Sequence, residues 1–195
     1  MNKPNSYETT QAGGDFIPVE LGGHYAVIKN VSERETKNGD PMIVVSIDFD
    51  KKDKQPGYFT DQFKKDVRPD KKYPYQATNY ITTEYQGACT KAFKSFMKAF
   101  ADSNGLDVEK DIKWGSDFAG QFKNKKIGVV FGNVEETYNG ETKMRRKIRW
   151  YCDYSKVSDQ SIPGDKLEKS NTTTAAKPDE DFMNIPEGTE EEIPF

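Results

Sequence analysis

Four cationic side chains and one aromatic side chain recur at every second position in the last third of the chain. They are Lys143, Arg145, Lys147, Arg149 and Tyr151. Alternate side chains of a β-strand point to the same face of a sheet, so this spacing predicts one row of five groups. Cations neutralise phosphates, and aromatic rings stack on unpaired bases with little dependence on sequence. The row therefore favours contact with a single-stranded nucleic acid, with an ordinary charged edge strand as the alternative.

Further groups of the same two chemical types are predicted to extend this surface. Tyr138 lies at the turn that leads into the cationic strand, and Tyr58 begins an earlier aromatic stretch. Lys64 and Lys65 open a connection over residues 64–80 that is rich in lysine, arginine and tyrosine. We expect the tyrosines to stack on bases and the two lysines to make secondary phosphate contacts.

The elements that position these groups can be predicted from apolar periodicity and turn signals. Strands are predicted over residues 25–33, 42–49, 58–63, 126–135 and 143–154. Asn-Gly pairs at 38–39 and 139–140 are strong hairpin signals, because both turn positions favour a positive φ. The even positions of the last strand, which include Trp150, are mostly apolar and are predicted to face the core.

One helix is predicted between the third and fourth strands. Its buried face carries four large apolar side chains at helical spacing, Phe93, Phe96, Met97 and Phe100. Thr83 and Gln86 stand at capping-box spacing before it, and Asn104-Gly105 predicts its end. The order of three strands, one helix and two strands predicts a mainly β protein with a five-stranded OB-type barrel.

The C-terminal region differs from the rest of the chain in charge. Residues 178–195 contain seven acidic side chains and no basic ones, which leaves 25 acidic and 29 basic side chains elsewhere. The chain of net charge −3 thus divides into a tail of −7 and a remainder of +4. A basic body with an acidic tail is typical of nucleic-acid binders, although ordinary surface charge would also give this balance.

The tail ends in Glu190, Glu191, Glu192, Ile193, Pro194 and Phe195. The polar stretch ahead of these six residues is too poor in apolar residues to form a core and is expected to be disordered. An acidic tail could merely maintain solubility, but solubility requires charge and not an apolar end. We therefore predict a flexible arm over 1–22, a nucleic-acid-binding domain over 23–154, a flexible linker over 155–178 and a partner-binding tail over 179–195.

The tip at residues 190–195 resembles the acidic tail tip of bacterial single-stranded-DNA-binding proteins, although glutamate stands where that family usually has aspartate. The layout of residues 23–154 resembles uncharacterised phage proteins encoded among replication and recombination genes. The resemblance implies that the body binds and protects single-stranded DNA during replication, recombination or repair. It also implies that the tip recruits other proteins of those processes. The N-terminal strand sequence of the bacterial family is not found, so its tetramer is not implied and a homo-oligomer is left open.

An enzymatic function finds little support in the sequence. No glycine-rich phosphate loop with Lys-Ser/Thr and no nucleophile motif is present. Asp48 and Asp50 could hold a metal ion as nuclease carboxylates do, so a metal-dependent nuclease is one alternative. An adaptor that binds only replication or recombination proteins is the other. No cofactor or metal site is expected, and the lone His24 is more often structural in such a position.

Compartment and solubility follow from what the sequence lacks. No apolar run approaches the length of a membrane span. Residues 1–6 contain no apolar segment of a signal peptide. Cys89 and Cys152 do not form a disulfide framework, so both are expected to be free thiols. These observations favour the reducing cytoplasm of a bacterial host cell.

Overall fold

A five-stranded antiparallel sheet organises the chain, and the computed structural model describes residue 3 and residues 17–167. Its strands are β1 (Gly22–Glu35), β2 (Pro41–Phe49), β3 (Thr78–Thr82), β6 (Lys126–Tyr138) and β7 (Glu141–Cys152), in the order β3-β2-β1-β6-β7. A small hairpin is formed by β4 (Glu84–Tyr85) and β5 (Ala88–Cys89). The helices are α1 (Tyr58–Lys65) and α2 (Lys91–Asn104). Short 3-10 helices span Tyr75–Ala77, Ala119–Phe122 and Tyr154–Asp159. The protein is therefore mainly β, as predicted.

The core lies between one face of the sheet and the two helices. Phe96 and Phe100 of α2 pack against Phe122, with ring centroids 5.7 and 4.5 Å apart. Phe59 of α1 packs against Phe49 of β2 at 5.0 Å. The side chains of Phe59, Phe96, Phe100 and Phe122 are fully buried, and each such burial contributes roughly 1.5–3 kcal/mol to folding.

Two β-bulges shift the alternation of side chains along the strands. One lies in β1, between Ile28 and Asn30, and the other lies in β7, where Val130 pairs with Trp150 but Phe131 pairs with Ile148. An extra residue, Arg149, therefore stands in β7 opposite no partner. Beyond a bulge the face that each side chain occupies is reversed relative to strict alternation. The second bulge decides which residues of β7 share a surface.

The prediction of a third strand over residues 58–63 is wrong, because this segment forms α1. The buried carboxylate of Asp48 accepts hydrogen bonds from the backbone N–H of Phe59, at 3.0 Å, and from the hydroxyl of Thr60. The first bond satisfies a backbone donor that a helix N-terminus leaves without an intrahelical partner, and the second holds a side chain of the first turn. Gly57 precedes the helix with φ of +67°, which suits glycine. The third strand is β3, which pairs with β2.

The predicted capping box of Thr83 and Gln86 is also wrong. Thr90 caps α2, and its hydroxyl accepts a hydrogen bond from the N–H of Phe93 at 3.1 Å. Gln86 instead occupies the tight turn between β4 and β5, with φ of +51°. The C-terminal end at Gly105 is confirmed, with φ of +64° in the left-handed region.

The two Asn-Gly pairs both lie in hairpin turns, as predicted, but only one has the expected geometry. Asn139 and Gly140 have φ of +51° and +78°, as a type I′ turn requires. In the turn between β1 and β2 only Gly39 has a positive φ, of +85°. That longer turn is closed by the Thr36 N–H, which donates to the Asp40 carbonyl at 2.8 Å.

Residues 154–167 lie against the sheet, so the predicted flexible linker is wrong over 155–167. Residue 166 forms a parallel bridge with Val134: its N–H donates to the Asn133 carbonyl at 3.0 Å, and its carbonyl accepts from the Glu135 N–H at 2.8 Å. Pro163 lies so close to Gly132 that a Cβ there would stand 2.5 Å from its ring. Residues 1–16 other than 3, and residues 168–195, lie outside the described part.

The five-stranded sheet is not closed into a barrel by hydrogen bonds between its edge strands in the described residues. The edges nevertheless approach each other at one point. The side-chain amide of Gln76, just before β3, donates to the carbonyl of Arg146 in β7 at 3.3 Å. This approach brings the segment before β3 next to the predicted cationic strand.

Candidate nucleic-acid interface

The outer parts of β6 and β7 form a two-stranded ribbon that extends beyond β1. Pairing of β1 with β6 stops at Phe131, whereas β6 and β7 stay paired from that point to their turn. In the register of the ribbon, Glu136 lies opposite Lys143, Val134 opposite Arg145 and Gly132 opposite Lys147. Three of the four predicted cations therefore share one face of the ribbon with Glu136.

Arg145 and Lys147 converge on Tyr75 from the 3-10 turn before β3. The guanidinium of Arg145 donates to the Tyr75 hydroxyl at 3.2 Å and lies 5.8 Å from the centre of its ring. The ammonium of Lys147 lies 5.6 Å from the same ring centre. Both distances fall within the range of a cation–π interaction. The hydrogen bond to Tyr75 and the charge of Glu136 raise the pKa of Arg145.

Glu136 is the acidic member of this group. One of its carboxylate oxygens pairs with the ammonium of Lys147, and the other lies 3.8 Å from Nε of Arg145. Lys143, farther along the ribbon, pairs with Glu141 at 2.5 Å. All of these side chains are at least one-third exposed, so solvent screens the pairs strongly. The cations are held in place, yet an incoming anion can reach them.

Two exposed tyrosine rings border a hollow beside these charges. The hollow has a volume of about 380 Å3 and is lined by Tyr75, Glu136, Thr137, Tyr138 and Arg145. Tyr75 is 48% exposed and Tyr138 is 76% exposed. Tyr138 stands where the sequence placed it, whereas Tyr75 was not among the predicted stacking residues. Its only signal was membership of the tyrosine-rich and lysine-rich connection over residues 64–80.

A further exposed ring that sequence reasoning did not select lies on β3. Ile81 faces the core, so the alternation of the strand turns Tyr80 to the opposite side, where it is 61% exposed. It lies opposite Val44 of β2 on the outer surface of the sheet. A strand prediction over residues 78–82 would have identified this outward tyrosine.

The last two members of the predicted row have other partners. Arg149 donates to the carbonyls of Asn133 at 3.1 Å and Gly164 at 2.9 Å, so it holds residues 154–167 against the ribbon. Tyr151 lies on the core side, where its ring packs edge-on against Phe96 at 5.0 Å. Its hydroxyl is buried, and this burial raises its pKa. The prediction that Tyr151 shares the cationic face is therefore wrong.

Trp150 lies on the outer side of the sheet and not on the core side. It was predicted to face the core, but it is 39% exposed and its indole N–H donates to the Gln160 side chain at 3.1 Å. The bulge at Arg149 is the physical reason for both reversals, because it advances the alternation by one residue.

The predicted residues of the 58–65 segment lie on α1, which packs against β2. Tyr58 is half-buried, and its hydroxyl donates to the carbonyl of Ile17 at 2.7 Å. Its ring packs against that of Phe59, and burial raises its pKa. It is therefore a poor stacking platform. Lys64 and Lys65 are exposed in the last turn of the helix.

The carboxylates considered as metal ligands have structural partners. Asp48 binds the N-terminus of α1, and Asp50 accepts a hydrogen bond from the Lys52 N–H at 3.0 Å. The buried ring of His24 lies between the carboxylate of Asp53 at 3.0 Å and the carbonyl of Glu20 at 2.9 Å. Within residue 3 and residues 17–167, no group of three or more metal-binding side chains is present.

The predicted partner-binding residues, from Glu190 to Phe195, lie outside the described residues. Within the described part, no helix has the length and apolar character needed to cross a membrane. In comparisons with known proteins, no protein-family model matches the chain and no curated protein matches it.

Proposed function

We propose that the protein binds single-stranded DNA with little sequence preference, through the face of the ribbon that carries Arg145 and Lys147. The observation that supports this most directly is the meeting of these two cations with the exposed rings of Tyr75 and Tyr138. Phosphates pair with the cations, and bases stack on the rings at about 1–3 kcal/mol per base. Such contacts read no base edge, so the binding is general.

The strand order gives this proposal a second support. In an OB barrel the helix follows the third strand, and oligonucleotides bind across strands 2 and 3 between two hairpin loops. The order β3-β2-β1-β6-β7, with α2 between β3 and β6, is compatible with such a barrel opened between β3 and β7. We infer an OB-type body, in which one bound DNA strand passes both Tyr80 on β3 and Tyr138 at the last hairpin.

The acidic tail would act as the second functional part. The chain leaves the described region at Leu167, directly after residue 166 pairs with the ribbon strand β6. The chain beyond this point, residues 168–195, carries a net charge of −6, so this acidic segment is tethered close to the cations and has a high effective concentration there. DNA would displace it, and the tip ending in Phe195 would then recruit replication, recombination or repair proteins.

Fluorescence anisotropy with a labelled single-stranded oligonucleotide tests the proposal. We expect binding that weakens with salt and that exceeds the binding of a blunt duplex of the same length. Equal affinity for the duplex would contradict base stacking, and no binding to either would favour a protein-only adaptor. Digestion of the oligonucleotide on addition of magnesium would instead identify a nuclease.

A further inference from the structure

A large crevice opens beside the turn that joins β1 to β2. It has a volume of about 1130 Å3 and lies between the β1–β2 hairpin, the β4–β5 hairpin and the loop around Trp114. This is above the range of about 300–1,000 Å3 that small-molecule pockets cover. A crevice of this size and openness suits several side chains of a peptide better than one small molecule.

The floor of the crevice is aromatic. Phe93 and Phe118 are buried there, whereas Trp114 is 58% exposed. The indole of Trp114 stacks on Phe118, with centroids 5.3 Å apart and planes 13° from parallel. Its orientation is further fixed by the edge of Phe93 at 6.4 Å. One face of a large aromatic ring is thus held rigidly at an open surface, where it can receive a flat or cationic group.

The rim of the crevice is acidic. Glu33, Glu35 and Glu84 line it, and Arg34 is the single cation among its described lining residues. The three carboxylates are exposed and form no ion pair with another described residue. Phosphates would be repelled here, so the crevice does not extend the proposed DNA surface. Carboxylates around an indole face are suited to a cation, since tryptophan is the best aromatic partner for one.

We propose that this crevice is a docking site for a cationic peptide segment of another protein. An arginine or lysine of that segment stacks on Trp114 and pairs with Glu35 and Glu84, and a neighbouring apolar side chain contacts Phe93 and Phe118. The undescribed parts of the chain are net acidic, which argues against them as the occupant of an acidic crevice. Residues 4–16 carry a charge of −2 and residues 168–195 carry a charge of −6.

Selection from a random twelve-residue peptide library displayed against the full chain tests this proposal. We expect enriched peptides that carry arginine or lysine beside an apolar residue. These peptides are then synthesised and their binding is measured. They should bind the variant Trp114→Ala, and the double variant Glu35→Gln with Glu84→Gln, on the order of tenfold more weakly than they bind the unchanged chain. The matched control is Asp61→Asn with Asp70→Asn, which removes two exposed carboxylates in and after α1 and should leave binding unchanged.

The glutamate pair keeps the aromatic floor intact, so it tests the site even if Trp114→Ala disturbs folding. Enriched peptides without a cation, equal binding to the two double variants, or no enrichment would overturn the proposal. So would a dimer that the glutamate substitutions dissociate, because the occupant would then be a second copy of this chain. The affinity for single-stranded DNA should not change in any of these variants, which separates this site from the ribbon.

Discussion

Removal of Arg145 and Lys147 together should lower the salt dependence of DNA binding and leave the fold intact. On the ribbon, Lys143, Arg145 and Lys147 are the proposed phosphate contacts, and each single-strand contact contributes about −0.7 to the slope of log affinity against log salt. The unchanged chain should therefore give a slope of about −2. Between about 50 and 200 mM salt its affinity should fall by about 20-fold.

The variant Arg145→Ala with Lys147→Ala should retain one of these contacts, a slope of about −0.7 and a fall of about threefold over the same range. Both side chains are at least one-third exposed, so their loss leaves no cavity and the melting temperature should stay the same. Anisotropy titrations at several salt concentrations measure the slopes. Lys91→Ala with Lys94→Ala, on the exposed face of α2, is the matched control. An unchanged slope in the ribbon variant would refute the assignment of Arg145 and Lys147 as phosphate contacts. An equal reduction of the slope in the control variant would refute it as well.

Further predictions concern Glu136, the two cysteines and the acidic tail. Glu136→Gln should raise DNA affinity severalfold at low salt, because it frees Lys147 and Arg145 from a carboxylate; weaker binding in the same titration would contradict this. Iodoacetamide at about pH 8 should alkylate the exposed Cys89 well before Cys152, because burial raises the pKa of the Cys152 thiol to about 11 and keeps it protonated. Peptide mass spectrometry would show equal labelling if that burial were wrong. Truncation after Pro178 should raise DNA affinity at low salt and abolish pull-down of partners. Phe195→Ala should abolish only the pull-down, and retention of every partner would exclude the tip as their binding site.

Much of the sheet could be predicted because its signals are local. Apolar alternation located β1, β2, β6 and β7, and the helical spacing of Phe93, Phe96 and Phe100 located α2. The Asn-Gly pairs identified the β1–β2 and β6–β7 hairpins, since the chemistry of a tight turn depends on its own residues. These features depend on few distant contacts.

The errors arise where distant residues decide the local structure. The segment that begins with Tyr58 reads as an aromatic strand, but it is a helix whose first turn is bound by Asp48 from β2. The regular alternation of β7 contains no sign of its bulge, so Tyr151 and Trp150 were assigned to the wrong faces. Tyr75 meets Arg145 across 70 positions of sequence, which no local pattern could reveal.

The short parallel bridge at residue 166 has a consequence for self-association. Beyond Phe131, β6 has lost β1 as a neighbour, and unpaired strand edges invite pairing with other chains. The hydrogen bonds to Asn133 and Glu135 cover part of that edge with the chain's own backbone. A protein shortened to end near residue 160 would expose this edge of β6 and should aggregate. A protein that ends after residue 167 keeps the hydrogen bonds of residue 166 and should stay monodisperse.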